Sequence, residues 1–286
     1  MTVHSILLTL LALFPAIALC FYIYKKDCTE KEPLSLLVIL FGLGIFSIYP
    51  AIFFEKIFGY VNDTVFSPFL LPGVTFKGYD NSHIPLIEPF YQFSKAFFVV
   101  ALVEESVKWV ALWLGTHSEK HFDSFFDGII YSVFVSLGFA AFENIQYVAA
   151  YGFKTGLMRA VLSVPAHMFF SVFMGYFFSI YIVKRKAQKL DVSLNNLYAM
   201  PTPKYKIKPF SSGFLSIAIP VAVHGLYDFC LFYSTPVTTV IFALLMVFLY
   251  VFCFRKIHKV SKADSSHKSL VIKLLIKSYP GLLKQD

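Results

Sequence analysis

Long apolar runs occupy most of this 286-residue chain. An α-helix rises about 1.5 Å per residue, so about 20 apolar residues cross the hydrocarbon core of a bilayer. Charged residues are only 15% of the chain, whereas soluble domains have about a quarter. The pattern predicts an all-α, polytopic transmembrane bundle and argues against a soluble enzyme, a secreted disulfide scaffold or a disordered chain. The seven predicted spans are residues 4–24, 34–54, 93–114, 125–150, 158–183, 212–233 and 236–254.

The distribution of Lys and Arg indicates the orientation. With the N-terminus outside, the inner loops and tail receive 19 basic residues and the outer segments receive five. Cytoplasmic loops are enriched in Lys and Arg, so we predict an N-out, C-in topology. The same bias accounts for the net charge of +8, and we expect no nucleic acid partner.

The chain is predicted to have three parts. Residues 1–92 hold two spans and an outer loop at 55–92, which contains four prolines. Residues 93–233 form a core of four spans, in which the basic inner loop 184–210 is expected to be a flexible linker. Residues 234–286 hold the last span and a basic tail, whose stretch 270–277 fits either an interfacial helix or a solvated segment.

Ionisable residues lie inside four of the seven spans, where they need partners or a wet cavity and are therefore functional candidates. The third span contains Glu104-Glu105-Ser106-Val107-Lys108. Residues four apart share a helix face, so Glu104 can pair with Lys108, while Glu105 points about 100° away. The lysine could neutralise one carboxylate while the other faces a reaction centre. A structural ion pair between helices fits the motif equally well.

The next three spans add further candidates. Glu143, in the fourth, is deep enough to need a partner, and the fifth span has a single histidine, His167. In the sixth, His224 and Asp228 lie four apart on one face and could bind one divalent metal, since imidazole and carboxylate are zinc ligands. The structural alternative is a His–Asp hydrogen bond that ties two helices together.

These candidates fall at similar depths. Counted from the outer ends of their spans, they lie in a slab about 10 Å thick. Because four antiparallel helices place these candidates at similar depths, we predict one shared polar cavity that opens towards the outside. The chain contains neither an HExxH motif nor a GxSxG motif, and its four cysteines show no paired spacing. Two histidines, up to three glutamates and one aspartate remain, and this set suits a metal that activates water.

At these positions the chain resembles the PrsW family of intramembrane metalloproteases, which are distant relatives of the CAAX prenyl endopeptidases. The resemblance covers about residues 93–233 and consists of four motifs in order. CAAX-type members have FxxxH and HxxxN motifs, whereas the corresponding motifs of this chain are FxxxE and HxxxD. This difference argues against processing of prenylated proteins. The motifs are EExxK (Glu104–Lys108), FxxxE (Phe139–Glu143), a histidine with a later glycine (His167 and Gly175) and HxxxD (His224–Asp228).

The resemblance implies a metal, zinc by expectation, bound by His167, His224 and Asp228. Glu143 would be a further ligand or would contact one. The metal would lower the pKa of a water molecule.

It also implies a proton acceptor and a class of substrate. Glu104 or Glu105 would take the proton from the water, and Lys108 would hold the other carboxylate or orient its neighbour. The expected partners are the lipid bilayer and a membrane protein substrate in the plasma (inner) membrane. An anti-sigma factor cut on its outer side is the substrate that the family implies.

Two other classes remain open at this point. Acids and histidines inside a membrane also build proton relays, so an ion-coupled transporter is an alternative. The chain has no detectable repeat, which argues against that class. A membrane scaffold without catalytic activity is the other alternative.

Overall fold

The computed structural model describes residues 3–27, 31–66, 87–117, 122–198, 200 and 203–280, with side chains from residue 9 onward. Helices account for nearly all of this part of the chain, and a lone antiparallel bridge joins Ser124 to Ser266. The predicted all-α class is therefore confirmed. The helices are α1 (Val3–Lys26), α2 (Leu34–Phe46), α3 (Ile48–Phe66), α4 (Glu88–Ser94), a π-helical segment (Lys95–Ala101), α5 (Leu102–Thr116), α6 (Asp127–Tyr151), α7 (Phe153–Val161), α8 (Ser163–Leu197), α9 (Phe210–Phe232), α10 (Pro236–Lys262) and α11 (His267–Ser278).

Among the described residues, six helical segments are long and apolar enough to cross a membrane. The predicted third span, 93–114, is not one of them, although it is helical throughout. Its helix changes from α to π geometry and back, and it contains Lys95, Glu104, Glu105 and Lys108. The total of seven spans and the N-out, C-in orientation stay predictions. The six segments are Thr9–Lys26, Leu34–Phe66, Asp127–Tyr151, Phe153–Leu197, Phe210–Phe232 and Pro236–Lys262.

Two predicted loops are partly helical. The second span continues through α3 to Phe66, so the outer loop 55–92 begins as a helix, and residues 67–86 lie outside the described part. In the inner loop 184–210, α8 extends to Leu197. Between residue 184 and Pro201 the sequence contains no proline that would end the helix earlier. The division of the chain into three parts remains a prediction.

Helix α6 forms the centre of the bundle. It packs against α1, α2 and α8, and nearly all of its residues up to Ala141 are buried. Its contact with α2 is close, because a Cβ atom at Gly44 would lie 1.9 Å from the carbonyl oxygen of Val135. Small residues let membrane helices approach closely where no hydrophobic effect drives their association.

The tail stretch 270–277 is helical and docks on the protein. Val271 of α11 packs against Val183 and Ala187 of α8. The backbone N–H of His267 donates to the carbonyl of Asp123 at 2.5 Å. Burial, with the nearby ammonium of Lys186, lowers the pKa of His267 to about 3, so its imidazole is neutral in the folded protein. These contacts join α11 to α8 and to the segment that precedes α6.

A pair of alanine variants on α2 tests the α2–α6 contact. We expect Gly44→Ala to lower the free energy of unfolding by about 1–3 kcal/mol, because the added methyl group overlaps the backbone of α6. Gly42→Ala is the matched control, since a Cβ there has no atom within 4 Å. The measurement is thermal unfolding of both variants in detergent. Equal unfolding midpoints would show that the two helices do not approach this closely.

Candidate active site

A buried lysine lies at the centre of the polar site. The Nζ atom of Lys108 is 2.9 Å from Oε2 of Glu104 and 2.9 Å from Oε1 of Glu105. The i+3 and i+4 spacings on α5 place both carboxylates beside this ammonium. Lys108 and Glu105 have no solvent exposure, and the ammonium also lies 4.2 Å from the centre of the Phe139 ring. The lysine therefore neutralises charge inside the bundle.

Two other helices join this centre through histidines. Nδ1 of His167 on α8 lies 3.2 Å from Nζ of Lys108. Nδ1 of His224 on α9 lies 2.9 Å from Oε1 of Glu105, and its Nε2 lies 3.3 Å from Asp228. The ring of Phe170 stacks on His224 at 4.6 Å. His224 thus contacts two carboxylates, one through each nitrogen of its imidazole.

The backbone around these residues is specialised. The π-helical segment directly precedes α5, and π-helices frequently occur at functional sites. Helix α9 approaches this segment closely, because a Cβ at Gly225 would lie 2.6 Å from the ring of Phe97. Pro220 lies inside α9, where proline removes a helix hydrogen bond. His224 therefore follows an interrupted turn, next to a glycine that lets α9 approach the π-helical segment.

Glu143 connects His167 to a second cation. Its Oε2 lies 3.0 Å from Nε2 of His167 and 2.9 Å from the guanidinium of Arg159 on α7. Nε of Arg159 donates a hydrogen bond to Asn144. The guanidinium also lies 4.0 Å from the centre of the Tyr147 ring. Arg159 thus holds Glu143 at the edge of the site.

The structure brings all seven predicted site residues together. A cavity of about 430 Å³ is lined by five of them, and Glu105 and Lys108 lie buried in its wall. The polar contacts form one continuous set from Asp228 to Arg159. The five that line the cavity are Glu104, Glu143, His167, His224 and Asp228. Their chemical roles remain predictions.

Sequence reasoning missed four titratable residues that line this cavity. Arg159 was counted among the outer basic residues, although the structure places it against Glu143. Glu55 was assigned to the outer loop, although α3 continues through it. A charged residue at the end of an apolar run resembles an ordinary interfacial charge, so the sequence gives no signal for either position. The four are Glu55, Tyr147, Arg159 and Tyr227.

The donor set fits a divalent cation. Four carboxylates lie in the connected set, and Lys108 and Arg159 neutralise two of them, which leaves two negative charges if both histidines are neutral. Oε2 of Glu105 is buried and has no hydrogen-bond partner. Buried charge is unfavourable unless it is paired or bound to a metal. A dipositive ion would restore neutrality.

Two groups of residues could supply ligands. Donor atoms of Glu104, Glu105 and His167 lie within 4.8 Å of one another. However, Nζ of Lys108 already contacts all three residues, and its positive charge would repel a metal placed among them. The predicted ligands His167, His224, Asp228 and Glu143 instead line the cavity and carry excess negative charge. We therefore favour this second group.

A cavity lined by acids and histidines inside a helical membrane bundle is the kind of centre that an intramembrane protease requires. A family model described as PrsW family intramembrane metalloprotease matches residues 32–254, and the chain belongs to this family. The predicted recognition and the predicted enzyme class are confirmed, and the transporter and scaffold alternatives are set aside. The chain is a multi-pass membrane protease.

Curated relatives agree with the family match. Protease PrsW of Bacillus subtilis (strain 168) is 31% identical over 247 residues, which are 86% of this chain and 91% of the relative. Protease PrsW of Clostridioides difficile (strain 630) is 33% identical, over 78% of this chain and 79% of the relative. Protease PrsW of Geobacillus kaustophilus (strain HTA426) is 32% identical over 76% of each chain. No solved structure matches the chain.

Replacing the buried lysine tests whether it neutralises the carboxylates. We expect Lys108→Met to lower the free energy of unfolding by about 3–5 kcal/mol, because two buried carboxylates lose their partner. Lys56→Met, an exposed lysine on α3, is the control and should change little. Thermal unfolding at neutral pH measures both variants. A Lys108→Met protein as stable as the control would show that the carboxylates do not depend on this ammonium.

Proposed function

We propose that this protease is metal-dependent and that it cleaves a membrane protein close to the extracytoplasmic face of the plasma membrane. The observation that carries this proposal is the convergence of two histidines and several carboxylates from separate helices on one cavity. Family membership supports a substrate of the anti-sigma factor type in a regulated proteolytic cascade. The predicted orientation would direct the cavity towards the outer leaflet.

Four cavity residues would hold the metal. His167, His224 and Asp228 are the proposed ligands, and Glu143 is a further ligand or orients His167 through their 3.0 Å contact. Zinc suits a set of imidazole and carboxylate donors. When bound in such a site, zinc lowers the pKa of water and polarises a carbonyl oxygen.

Glu104 is the proposed proton acceptor. It lines the cavity, whereas Glu105 is completely buried and contacts Lys108 and His224. A general base must reach the proton that it removes, so cavity access favours Glu104. Glu105 is then a positioning residue that fixes the ammonium of Lys108 and the ring of His224.

Lys108 and Arg159 prepare the site electrostatically. The ammonium of Lys108 fixes the position of the Glu104 carboxylate through their 2.9 Å contact. Arg159 fixes Glu143, and through it the orientation of His167. Preorganised charges of this kind act most strongly where water is excluded.

The division of roles between the two glutamates is testable. We expect Glu104→Gln to lower kcat by about 10²–10⁴ with little change in metal content, because it removes only the base. Glu105→Gln should lower both activity and thermal stability, because it disrupts the contacts of Lys108 and His224. Cleavage of a single-span reporter protein gives kcat, and unfolding gives stability. Glu104→Gln with full activity would exclude Glu104 as the base.

Metal dependence has a direct test with two readouts. We expect purified protein to contain about one zinc ion per chain, and a chelator to abolish reporter cleavage until zinc is restored. His167→Ala and His224→Ala should lose both the metal and the activity. His258→Ala, at an exposed position on α10, is the control and should keep both. Unchanged metal content in the two site variants would contradict the proposed ligands.

A further inference from the structure

Glu55 gives the cavity a carboxylate that the proposed catalytic steps do not use. Helix α3 forms one wall of the cavity with one of its faces. The residues on that face recur at helical spacing, so they belong to a single stripe along α3. They are Ile48, Ala51, Ile52 and Glu55. Glu55 is the charged member of an otherwise apolar wall.

The Glu55 carboxylate has no partner among the residues that the structure describes. It makes no hydrogen bond and no ion pair with any described residue, and it is partly exposed to the cavity. The neighbouring Lys56 is exposed on α3 and does not line the cavity. A carboxylate inside a membrane bundle is costly unless a cation or water compensates it.

The surrounding charges do not compensate Glu55. Glu104 and Glu143 act on it most strongly and repel it, whereas Lys108 and His224 attract it more weakly. Arg159 is the only Lys or Arg among the described residues that line the cavity, and it is paired with Glu143. Lys108 is fully buried and already bonded to Glu104 and Glu105. This leaves Glu55 in a region of negative potential.

We propose that Glu55 is a specificity-determining residue that binds a lysine or arginine side chain of the substrate beside the cleaved peptide bond. This inference rests on the proposed endopeptidase function. A substrate cation would relieve the repulsion among Glu55, Glu104 and Glu143, and an acidic side chain would increase it. The long apolar stem of a lysine or arginine lies along apolar surface while its charged end reaches polar surroundings, so such a side chain could extend into the cavity to Glu55.

The test compares reporters that differ only in charge. The cut site in a single-span reporter protein is first mapped by mass spectrometry. The two residues on each side of the cleaved peptide bond are then replaced, one at a time, by Lys, Gln or Glu. At one of these positions we expect the wild type to cleave the Lys reporter at least about tenfold faster in kcat/KM than the Glu reporter. Gln serves as the uncharged reference.

Variants of the enzyme connect this preference to Glu55. We expect Glu55→Gln to reduce the Lys-over-Glu ratio to less than about threefold, chiefly by slowing cleavage of the Lys reporter. Glu55→Lys should invert the preference. Lys56→Gln is the matched control one residue away and should keep the wild-type ratio. The unfolding midpoint of each variant shows whether it is folded. If Glu55→Lys does not fold, the result for Glu55→Gln decides the inference by itself.

Three outcomes would overturn the inference. Equal cleavage of the three reporters by the wild type, at every position, would show that the cavity does not select charge. An equal loss on all reporters in Glu55→Gln would assign Glu55 to catalysis or metal binding instead of specificity. If the wild type cleaved none of the reporters, the proposed function itself would fail, and this inference with it. The first two outcomes, in contrast, would overturn only this inference.

Discussion

The contact of one ammonium with two carboxylates and an imidazole determines how the rest of the bundle is arranged. Lys108 is completely buried and bonds to Glu104, Glu105 and His167. These partners come from α5 and α8, so the ion cluster fixes the rotation of two helices about their axes. A displaced partner would leave an unpaired charge in a region of low dielectric constant. The cluster therefore specifies one arrangement of the helices as well as stabilising it.

The apolar core supports this cluster from behind. Helix α6 lies at the centre, and its close approach to α2 depends on the absence of a side chain at Gly44. Helix α9 similarly reaches the π-helical segment at Gly225. In a bilayer such contacts depend on dispersion and on shape, since lipid is as apolar as the helices. Small residues therefore set the distances at which the polar groups can meet.

Charge balance connects catalysis and specificity in this cavity. Lys108 and Arg159 are both bonded to carboxylates, yet the connected set retains excess negative charge. A divalent metal would compensate the histidine side of the cavity. Glu55, on the wall formed by α3, stays outside that set and faces the space that a substrate would enter. The same negative potential can thus hold a metal in one part of the cavity and select a substrate cation in another.

The sequence by itself determined the all-α membrane class and most of the membrane-capable helices, and it singled out the seven residues that lie together at the cavity, because apolar length and intramembrane charge are local properties. Pairings within one helix, such as Glu104 with Lys108, also follow from spacing. Only the tertiary structure decided that Lys108 contacts His167, that Arg159 holds Glu143, and that α3 carries Glu55 into the cavity. These contacts depend on the rotation and separation of helices, which are set by packing. The spacing of residues along the chain does not specify them.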